Sequence, residues 1–443
     1  MILYWIIFIG IIISAFINYK KTVIVWMPLQ LLFNDLVARR YSSPVLSLGV
    51  AVNLLLPMIY FAKCYKRENK CHMSKETFFF KPVFIAYIIS YAFSFLFSIV
   101  PIGTALNTTL KFFMRNFVMV YIFQLCLTDK KAIHLFVKSS FIVCILLALL
   151  GTYEFIAKDN PVLDYIYMHA PHTEEMSNRM FYIPPQMGGG YQLRYGMIRA
   201  NSFFGISIAF GVSCIFYFFL SGFLLKNKYY ICNKKLIMLG LISSIMGIFL
   251  CNSKTPMFGL IFFIFALCDV KQIFNIRNIV VLAAFIIMLL VLIPDSLNNY
   301  ISLFDSNVAE EGGGSTVAMR ERQMQIALKL FNMNPLFGNG VGALDVLTKV
   351  GDNSDILGAE SIWLKTLPER GLLGCAVYLF WYAYVWLKCR KILPSKTLFF
   401  FLLGLIAMES GTGMLDLALY SSILIAIRKI IILDKMELIK QRI

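Results

Sequence analysis

The feature that most constrains this chain is a series of apolar runs, each long enough to cross a lipid bilayer. An α-helix needs about 20 mostly apolar residues to span the hydrocarbon core. Hydrophobic residues make up 59% of the 443 residues and charged residues 15%, and a water-soluble fold has too little interior to bury that much apolar surface. The sequence therefore predicts an all-α polytopic membrane protein, a single membrane domain over 1–443 with about 12–13 spans. The predicted spans are 2–18, 22–38, 44–62, 80–100, 110–128, 134–157, 200–225, 235–251, 255–269, 277–294, 371–388, 397–409 and 413–430.

The net charge of +17 arises from 41 Lys and Arg against 24 Asp and Glu. These basic residues gather in short loops around 63–70, 130–131, 226–235, 271–277 and 388–396. Strict alternation of the spans places all five loops on one side, which the positive-inside rule makes the cytoplasm. The charge is thus explained by topology. No nucleic-acid partner is expected, because no basic and aromatic stretch lies in a soluble domain.

Two long loops fall on the opposite side, which is the periplasmic face if the membrane is a bacterial inner membrane. They are the first periplasmic loop, 158–199, and the large periplasmic loop, 295–370. Within the large loop, Thr316 to Asn332 carries apolar residues at helical spacing and ends before Pro335. We predict an amphipathic helix there, lying against the membrane or the bundle.

Cationic side chains recur at the predicted outer boundary of the membrane: Arg194 and Arg199 before one span, Lys254 in a tight turn, and Arg320 in the large loop. Guanidinium groups match phosphate oxygens in bidentate geometry. Arg199 would also lie in the first turn of its helix, where free N–H groups favour an anion. The pattern predicts a site for a lipid-linked phosphate or pyrophosphate. The alternative is that these side chains only reach for headgroups and water.

Glu360 is the carboxylate with the clearest chemical potential. It lies close to basic residues in the large loop and is predicted to start a helix that ends near Pro368. A carboxylate in a partly dry cleft can act as a general base, although the same residue type also stabilises a helix start. The preceding glycines at 338, 340 and 342 permit either close approach to a ligand or a simple turn.

No metal and no cofactor are predicted. The ten cysteines are scattered, and most lie inside apolar runs without metal-ligand spacing. His169 and His172 flank Pro171, which disfavours a helical pair of ligands.

Taken together, these motifs resemble the O-antigen ligase/polymerase superfamily over residues 190–388. The resemblance rests on an Arg near a span entry, a Ser-Lys turn, Asn334-Pro-Leu-Phe-Gly-Asn-Gly-Val-Gly342, and Glu369-Arg-Gly-Leu-Leu-Gly374. It implies a GT-C-type helix bundle and metal-independent glycosyl transfer from polyprenyl-pyrophosphate sugars at the periplasmic face. It also implies that Arg194, Arg199 and Arg320 hold the pyrophosphate. Lys254 stands where the family often has Arg.

The resemblance favours one branch of this superfamily. Ligases typically have His about ten residues before the Gly-Leu-Leu-Gly, and this chain has Glu360. We therefore expect a polymerase of repeat units on undecaprenyl pyrophosphate, for O-antigen or a related surface polysaccharide, with Glu360 as the base. Expected partners are the lipid-linked oligosaccharides, membrane lipids, a chain-length regulator and a flippase. The alternatives are an O-antigen ligase, and a polysaccharide flippase or secondary transporter, which would predict inverted repeats.

Overall fold

The computed structural model describes residues 2–33, 48–65, 77–169, 193–194, 197–268, 317–344, 361–413 and 417–440. Helices dominate these ranges, which confirms the predicted all-α polytopic class. A two-residue hairpin, β1 Leu193–Arg194 with β2 Met197–Ile198, is the β structure in the described part of the chain. The helices are α1 Ile2–Leu29, α2 Leu48–Tyr65, α3 Lys81–Leu96, α4 Ile102–Phe113, α5 Met119–Cys126, α6 Lys130–Ala157, α7 Pro161–His169, α8 Ser207–Lys226, α9 Lys234–Leu250, α10 Lys254–Leu267, α11 Val317–Met333, α12 Ile362–Cys389, α13 Ser395–Gly411 and α14 Leu417–Lys440.

Several described segments are suited to a bilayer by length and composition. Four are long and apolar enough to cross it: Ile6–Leu32, Lys130–Ala157, Ser207–Lys226 and Ile362–Cys389. Shorter apolar helices accompany them at Gly49–Lys63, Lys81–Leu96 and Lys254–Leu267. Large apolar side chains cover the outward faces, as at Ile17 and Ile156, which are 81% and 75% exposed. Such surfaces need lipid around them, so the chain is a multi-pass membrane protein.

The first of the four long segments is folded back on itself. The hydroxyls of Ser14 and Thr22 lie 2.7 Å apart, whereas eight residues of straight helix would separate them by about 12 Å along the axis. Asn18 has non-helical φ/ψ of −144° and 80°, and its Oδ1 accepts the N–H of Lys21 at 3.1 Å as a cap. α1 is therefore a helical hairpin. This agrees with the two predicted spans 2–18 and 22–38, of which the second is described to Phe33.

One end of the bundle is basic, and we call it the basic end. It carries Lys20, Lys63, Lys130, Lys234 and Lys396. Contacts among helix ends hold it together: Lys20 Nζ to Asp129 Oδ2 at 2.9 Å, Lys63 Nζ to the Ala15 carbonyl at 3.2 Å, and Lys396 Nζ to the Cys268 carbonyl at 2.6 Å. The described parts of the basic loops thus share one side, as predicted, whereas 66–70 and 271–277 lie outside the described residues. The opposite end, which carries the starts of α10 and α12, we call the site end.

Aromatic side chains fill the centre of the bundle. Phe219 packs against Phe263 and Phe401 with ring centroids 5.2 and 4.6 Å apart, and Phe216 packs against Tyr420 at 5.6 Å. These rings join α8, α10, α13 and α14. Offset and tilted ring pairs of this kind add to the packing energy of the buried surface.

The predicted amphipathic helix of the large loop is observed as α11. Ala327 and Leu330 are buried, and Ile326 and Phe331 are half-buried. The helix packs on α12 and ends just before Pro335, so its predicted bounds and apolar face are confirmed. Met319, also placed on that face, has a side chain outside the described residues.

The predicted helix that ends near Pro368 and the span that follows it are both observed, as the two parts of α12. α12 runs from Ile362 to Cys389 and is broken at Gly371, where φ is 62° and ψ is −160°. In an unbroken helix, the N–H groups of Leu372 and Leu373 would donate to the carbonyl groups four residues earlier. The break releases both donors and both acceptors.

The turn after α11 takes up all four released groups. Because this region lies among membrane helices, leaving them unpaired would cost several kcal/mol per group. The glycine-rich motif therefore acts here as a packing turn that locks into the break, which we call the main-chain lock. Its bonds run from Leu372 N–H to the Pro335 carbonyl at 2.9 Å, Leu373 N–H to Leu336 at 3.1 Å, Asn339 N–H to Pro368 at 2.9 Å, and Gly340 N–H to Glu369 at 3.1 Å.

We predict that alanine at Gly371 destabilises the protein strongly, whereas alanine at Gly342 costs far less. Both glycines have positive φ, which costs alanine on the order of 1–3 kcal/mol. A Cβ at Gly371 would also lie 2.5 Å from the main chain of Leu336, whereas one at Gly342 meets nothing within 4 Å. Thermal unfolding of the purified variants in detergent measures the difference. Equal losses would contradict the main-chain lock.

Candidate functional site

The loop that follows β2 is pinned to the end of α6 by one buried acid. Glu154 is fully buried, and its Oε2 accepts the N–H groups of Asn201 and Ser202 at 2.9 and 2.7 Å. The Ser202 hydroxyl donates to the Leu147 carbonyl at 2.7 Å, and Asn160 Nδ2 donates to the Ser202 carbonyl at 2.9 Å. The main chain just after Arg199 is therefore fixed in position.

The same loop touches the turn that carries Lys254. Arg199 is 6% exposed, and the next residue, Ala200, donates its N–H to the Leu250 carbonyl at 3.0 Å. Leu250 ends α9, and Lys254 begins α10 four residues later. The structure thus brings the segments of Arg199 and Lys254 together, although the two residues are more than 50 positions apart in the chain.

The expected helix position of Arg199 is wrong. α8 begins at Ser207 rather than at 200, because the intervening loop is held by Glu154. Arg199 therefore lies in an irregular segment before the helix. Lys254 is the residue at a helix start, where the first N–H groups and the helix dipole favour an anion.

Two further contacts bring the start of α12 close to the start of α10, which carries Lys254. Thr255 Oγ1 donates to the Gly411 carbonyl at 3.1 Å, which joins α10 to the end of α13. Ser361 Oγ donates to the Glu409 carbonyl at 3.4 Å, which joins α13 to the start of α12. Glu360 lies outside the described residues. It directly precedes Ser361 in the sequence.

The other two predicted site residues are placed in part. Arg194 belongs to β1 and pairs with Met197 across the hairpin; its side chain lies outside the described residues. Arg320 is exposed in the first turn of α11. It stands seven residues before Ala327, so the two side chains share the face that packs toward α12.

Beneath the site end, the bundle contains a buried cation surrounded by aromatic rings. The sequence did not predict this contact. Arg370 is 4% exposed, and its guanidinium lies over the rings of Tyr91, Tyr87 and Tyr378, at 4.7, 5.4 and 5.5 Å from their centroids. Its Nη2 donates to Thr366 Oγ1 at 3.3 Å. Three aromatic faces stabilise the charge by cation–π attraction.

A buried acid lies next to this group. Glu409 is 1% exposed and accepts a short hydrogen bond from the Tyr382 hydroxyl through Oε2. The structure places Glu409 inside the bundle, in the last turn of α13. Ionisable groups inside a membrane bundle are costly and usually functional.

Glu154 and the aromatic surroundings of Arg370 are the features that the sequence reading missed. Glu154 carried a usable signal, since it is an acid inside an otherwise apolar predicted span, 134–157. The tyrosines around Arg370 come from two helices far apart in sequence, α3 and α12, so no local sequence pattern predicts that they meet.

The arrangement is suited to binding an anion at the membrane boundary. Arg199 and Lys254 lie on adjacent segments. The end of α13 contacts both the start of α10, which carries Lys254, and the start of α12. Cationic side chains at a helix start stabilise negative charge on phosphate oxygens.

Comparison with known proteins gives one match. A family model described as O-antigen ligase matches residues 239–379. This segment includes Lys254, Arg320 and Glu360, and both halves of the main-chain lock up to Gly374. A search of curated proteins gives no match.

We predict that Glu154→Ala destabilises the site end. The change leaves two buried N–H donors, at Asn201 and Ser202, without their acceptor, at a cost of at least about 2 kcal/mol. Thermal unfolding in detergent should show a clear loss for Glu154→Ala. The control Ile156→Ala, on the exposed face of the same helix, should change stability little. Similar behaviour of both variants would argue against Glu154 as an anchor.

Proposed function

We propose that this chain, which belongs to the O-antigen ligase/polymerase superfamily, polymerises oligosaccharide repeat units carried on polyprenyl pyrophosphate. The superfamily supports a glycosyltransferase-like enzyme of O-antigen or related polysaccharide assembly. The polymerase activity, the carrier and the residue roles are our proposal.

The observation that carries the proposal is the meeting of three segments at the site end. The Ala200–Leu250 bond links the Arg199 loop to the turn before Lys254, and the contacts through Gly411 and Glu409 link that turn to Ser361. A pyrophosphate needs several cations around it, and a general base must lie within reach of the acceptor. Arg199, Lys254 and Glu360 come from these three segments.

In the proposed reaction, the growing chain on its lipid pyrophosphate is the donor. A sugar hydroxyl of a repeat unit on a second carrier attacks the anomeric carbon, and Glu360 accepts the hydroxyl proton. The bond from the anomeric carbon to the pyrophosphate oxygen breaks, and the lipid pyrophosphate leaves with the electron pair. Arg199, Lys254, Arg320 and Arg194 are proposed to stabilise its charge. One displacement inverts the anomeric centre, without a metal or cofactor.

The proposed location is the bacterial inner membrane, with the site facing the periplasm. The lysines of the basic end belong on the cytoplasmic side by the positive-inside rule. The site end lies opposite, where the loops 158–199 and 295–370 would form the proposed periplasmic part of the domain. A GT-C-type bundle is part of this proposal.

An O-antigen ligase is the second candidate, and the description of the matching family favours it. Glu360 favours the polymerase, because the resemblance places His at that position in ligases. The glycan profile of a deletion strain separates the two. Loss of a polymerase leaves single-repeat glycans on the acceptor, whereas loss of a ligase leaves full-length chains on the lipid carrier. An absent surface glycan would indicate a flippase.

We predict that Glu360→Gln lowers polymerisation about 100-fold or more, because a positioned general base contributes at least that factor. The measurement is in vitro polymerisation of a defined lipid-linked repeat unit by the purified protein. Asp352→Asn, in the same predicted loop, is the matched control and should retain activity. Normal chain lengths with Glu360→Gln would refute the proposed base.

We predict that Arg320→Ala lowers the same rate about 100-fold, whereas Arg322→Ala changes it less than about twofold. The two arginines are both exposed at the start of α11. They differ by about 200° around the helix, so only Arg320 shares the packing face. Equal losses of rate in the two variants would show that the net charge of α11 matters and that the position of Arg320 on the helix does not.

We predict that Lys254→Arg retains activity and Lys254→Ala loses it, since either cation at the start of α10 can face a phosphate oxygen. Rates at saturating and low substrate separate binding from turnover. Activity equal to the unchanged protein in Lys254→Ala would remove this residue from the site.

A further inference from the structure

A cleft of about 490 Å³ opens at the basic end, far from the site described above. It lies between the start of α6, the connection from α8 to α9, and the last part of α14. Clefts of this size commonly hold small ligands. Its lining residues are Lys130, Lys131, Ile133, His134, Lys228, Tyr229, Tyr230, Ile231, Ile430, Leu433 and Asp434.

The charged lining is strongly one-sided. Three lysines face a single acid, Asp434. Lys131 and Lys228 are exposed at the rim, and a fourth cation, Lys234, lies over the ring of Tyr230 at 5.9 Å from its centroid. An anionic ligand is therefore favoured at this position.

One polar group in the lining beside the lysines, the Tyr229 hydroxyl, can donate a hydrogen bond to a ligand. Partial burial and the neighbouring Asp434 carboxylate raise the pKa of the Tyr229 hydroxyl, which keeps it protonated. His134 Nδ1 lies 2.6 Å from the Ile231 carbonyl and must carry the proton in that bond, since a carbonyl only accepts. This contact holds the α8–α9 connection over the start of α6.

The inner wall of the cleft is apolar. Ile133 and Ile430 are buried there, and Leu433 is half-buried. Tyr230 is 52% exposed and has an apolar ring with a polar tip, as side chains at a membrane surface often do. A free phosphate ion would gain nothing from these apolar groups. A ligand with a phosphate diester and an attached hydrocarbon part would use both walls.

We propose that this cleft binds an anionic phospholipid of the surrounding membrane leaflet. Its phosphate lies among Lys130, Lys131 and Lys228, and its glycerol and first methylene groups lie against Ile430 and Leu433. Basic clefts between membrane helices on the basic side of a protein are suited to such headgroups.

The test is a titration of the full-length protein in uncharged detergent with a short-chain phosphatidylglycerol, with bound lipid counted by native mass spectrometry. Phosphatidylcholine of the same chain length is the neutral comparison. We expect phosphatidylglycerol to bind more tightly. In the double variant Lys131→Gln/Lys228→Gln, we expect affinity to fall about 25-fold, or about fivefold for each lysine.

The matched control is the double variant Arg390→Gln/Lys391→Gln. It removes the same charge from exposed residues at the basic end, outside the cleft, and should leave the affinity unchanged. Equal losses in both variants would overturn the proposal in favour of general attraction. Equal binding of the two lipids would also overturn it. Displacement of the bound lipid by inorganic phosphate at the same concentration would instead indicate a site for free phosphate. The readout does not depend on glycosyl transfer, so the result stands apart from the proposed function.

Discussion

The main-chain lock between the turn after α11 and the break in α12 is the interaction on which the site end depends. The break at Gly371 would leave main-chain groups unpaired among membrane helices, and the turn pairs them with its own. Two more bonds tie this unit to α3 and to the connection after it: the Ser94 hydroxyl donates to the Glu369 carbonyl at 2.6 Å, and Ile99 N–H donates to the Asn339 carbonyl at 2.9 Å. An irregular main chain is tolerated at this depth because it is enclosed by protein.

Hydropathy and helix periodicity predicted much of the fold and little of this lock. The apolar runs, the reversal near Asn18 and the bounds of α11 follow from local patterns, because lipid and the packing face act on each segment separately. The pairing of two motifs some 30 residues apart is a tertiary event. The sequence offered the glycines at 338, 340 and 342 as turn residues, but not the main-chain partners that this turn meets in α12.

For the candidate site too, the sequence predicted part of what the structure shows. The cations Arg199 and Lys254 could be chosen from the sequence, since charge at a membrane boundary is conspicuous. Their positions could not, because Glu154 displaces the start of α8 and an irregular loop stands where a helix was expected. Buried polar groups, such as Glu154, Glu409 and Arg370, thus lie beneath the segments that carry the candidate cations.

The lock also ties together the two described segments that border residues 345–360. One segment is the turn that contains Gly342, whose N–H donates to the Glu369 carboxylate at 3.0 Å, and the other is the first part of α12. When the two ends of a segment are held in this way, a change in its length costs little, about 0.6 kcal/mol for each doubling. Under the proposed function, insertions and substitutions in 345–360 would therefore alter sugar preference at little cost to the stability of the helix bundle.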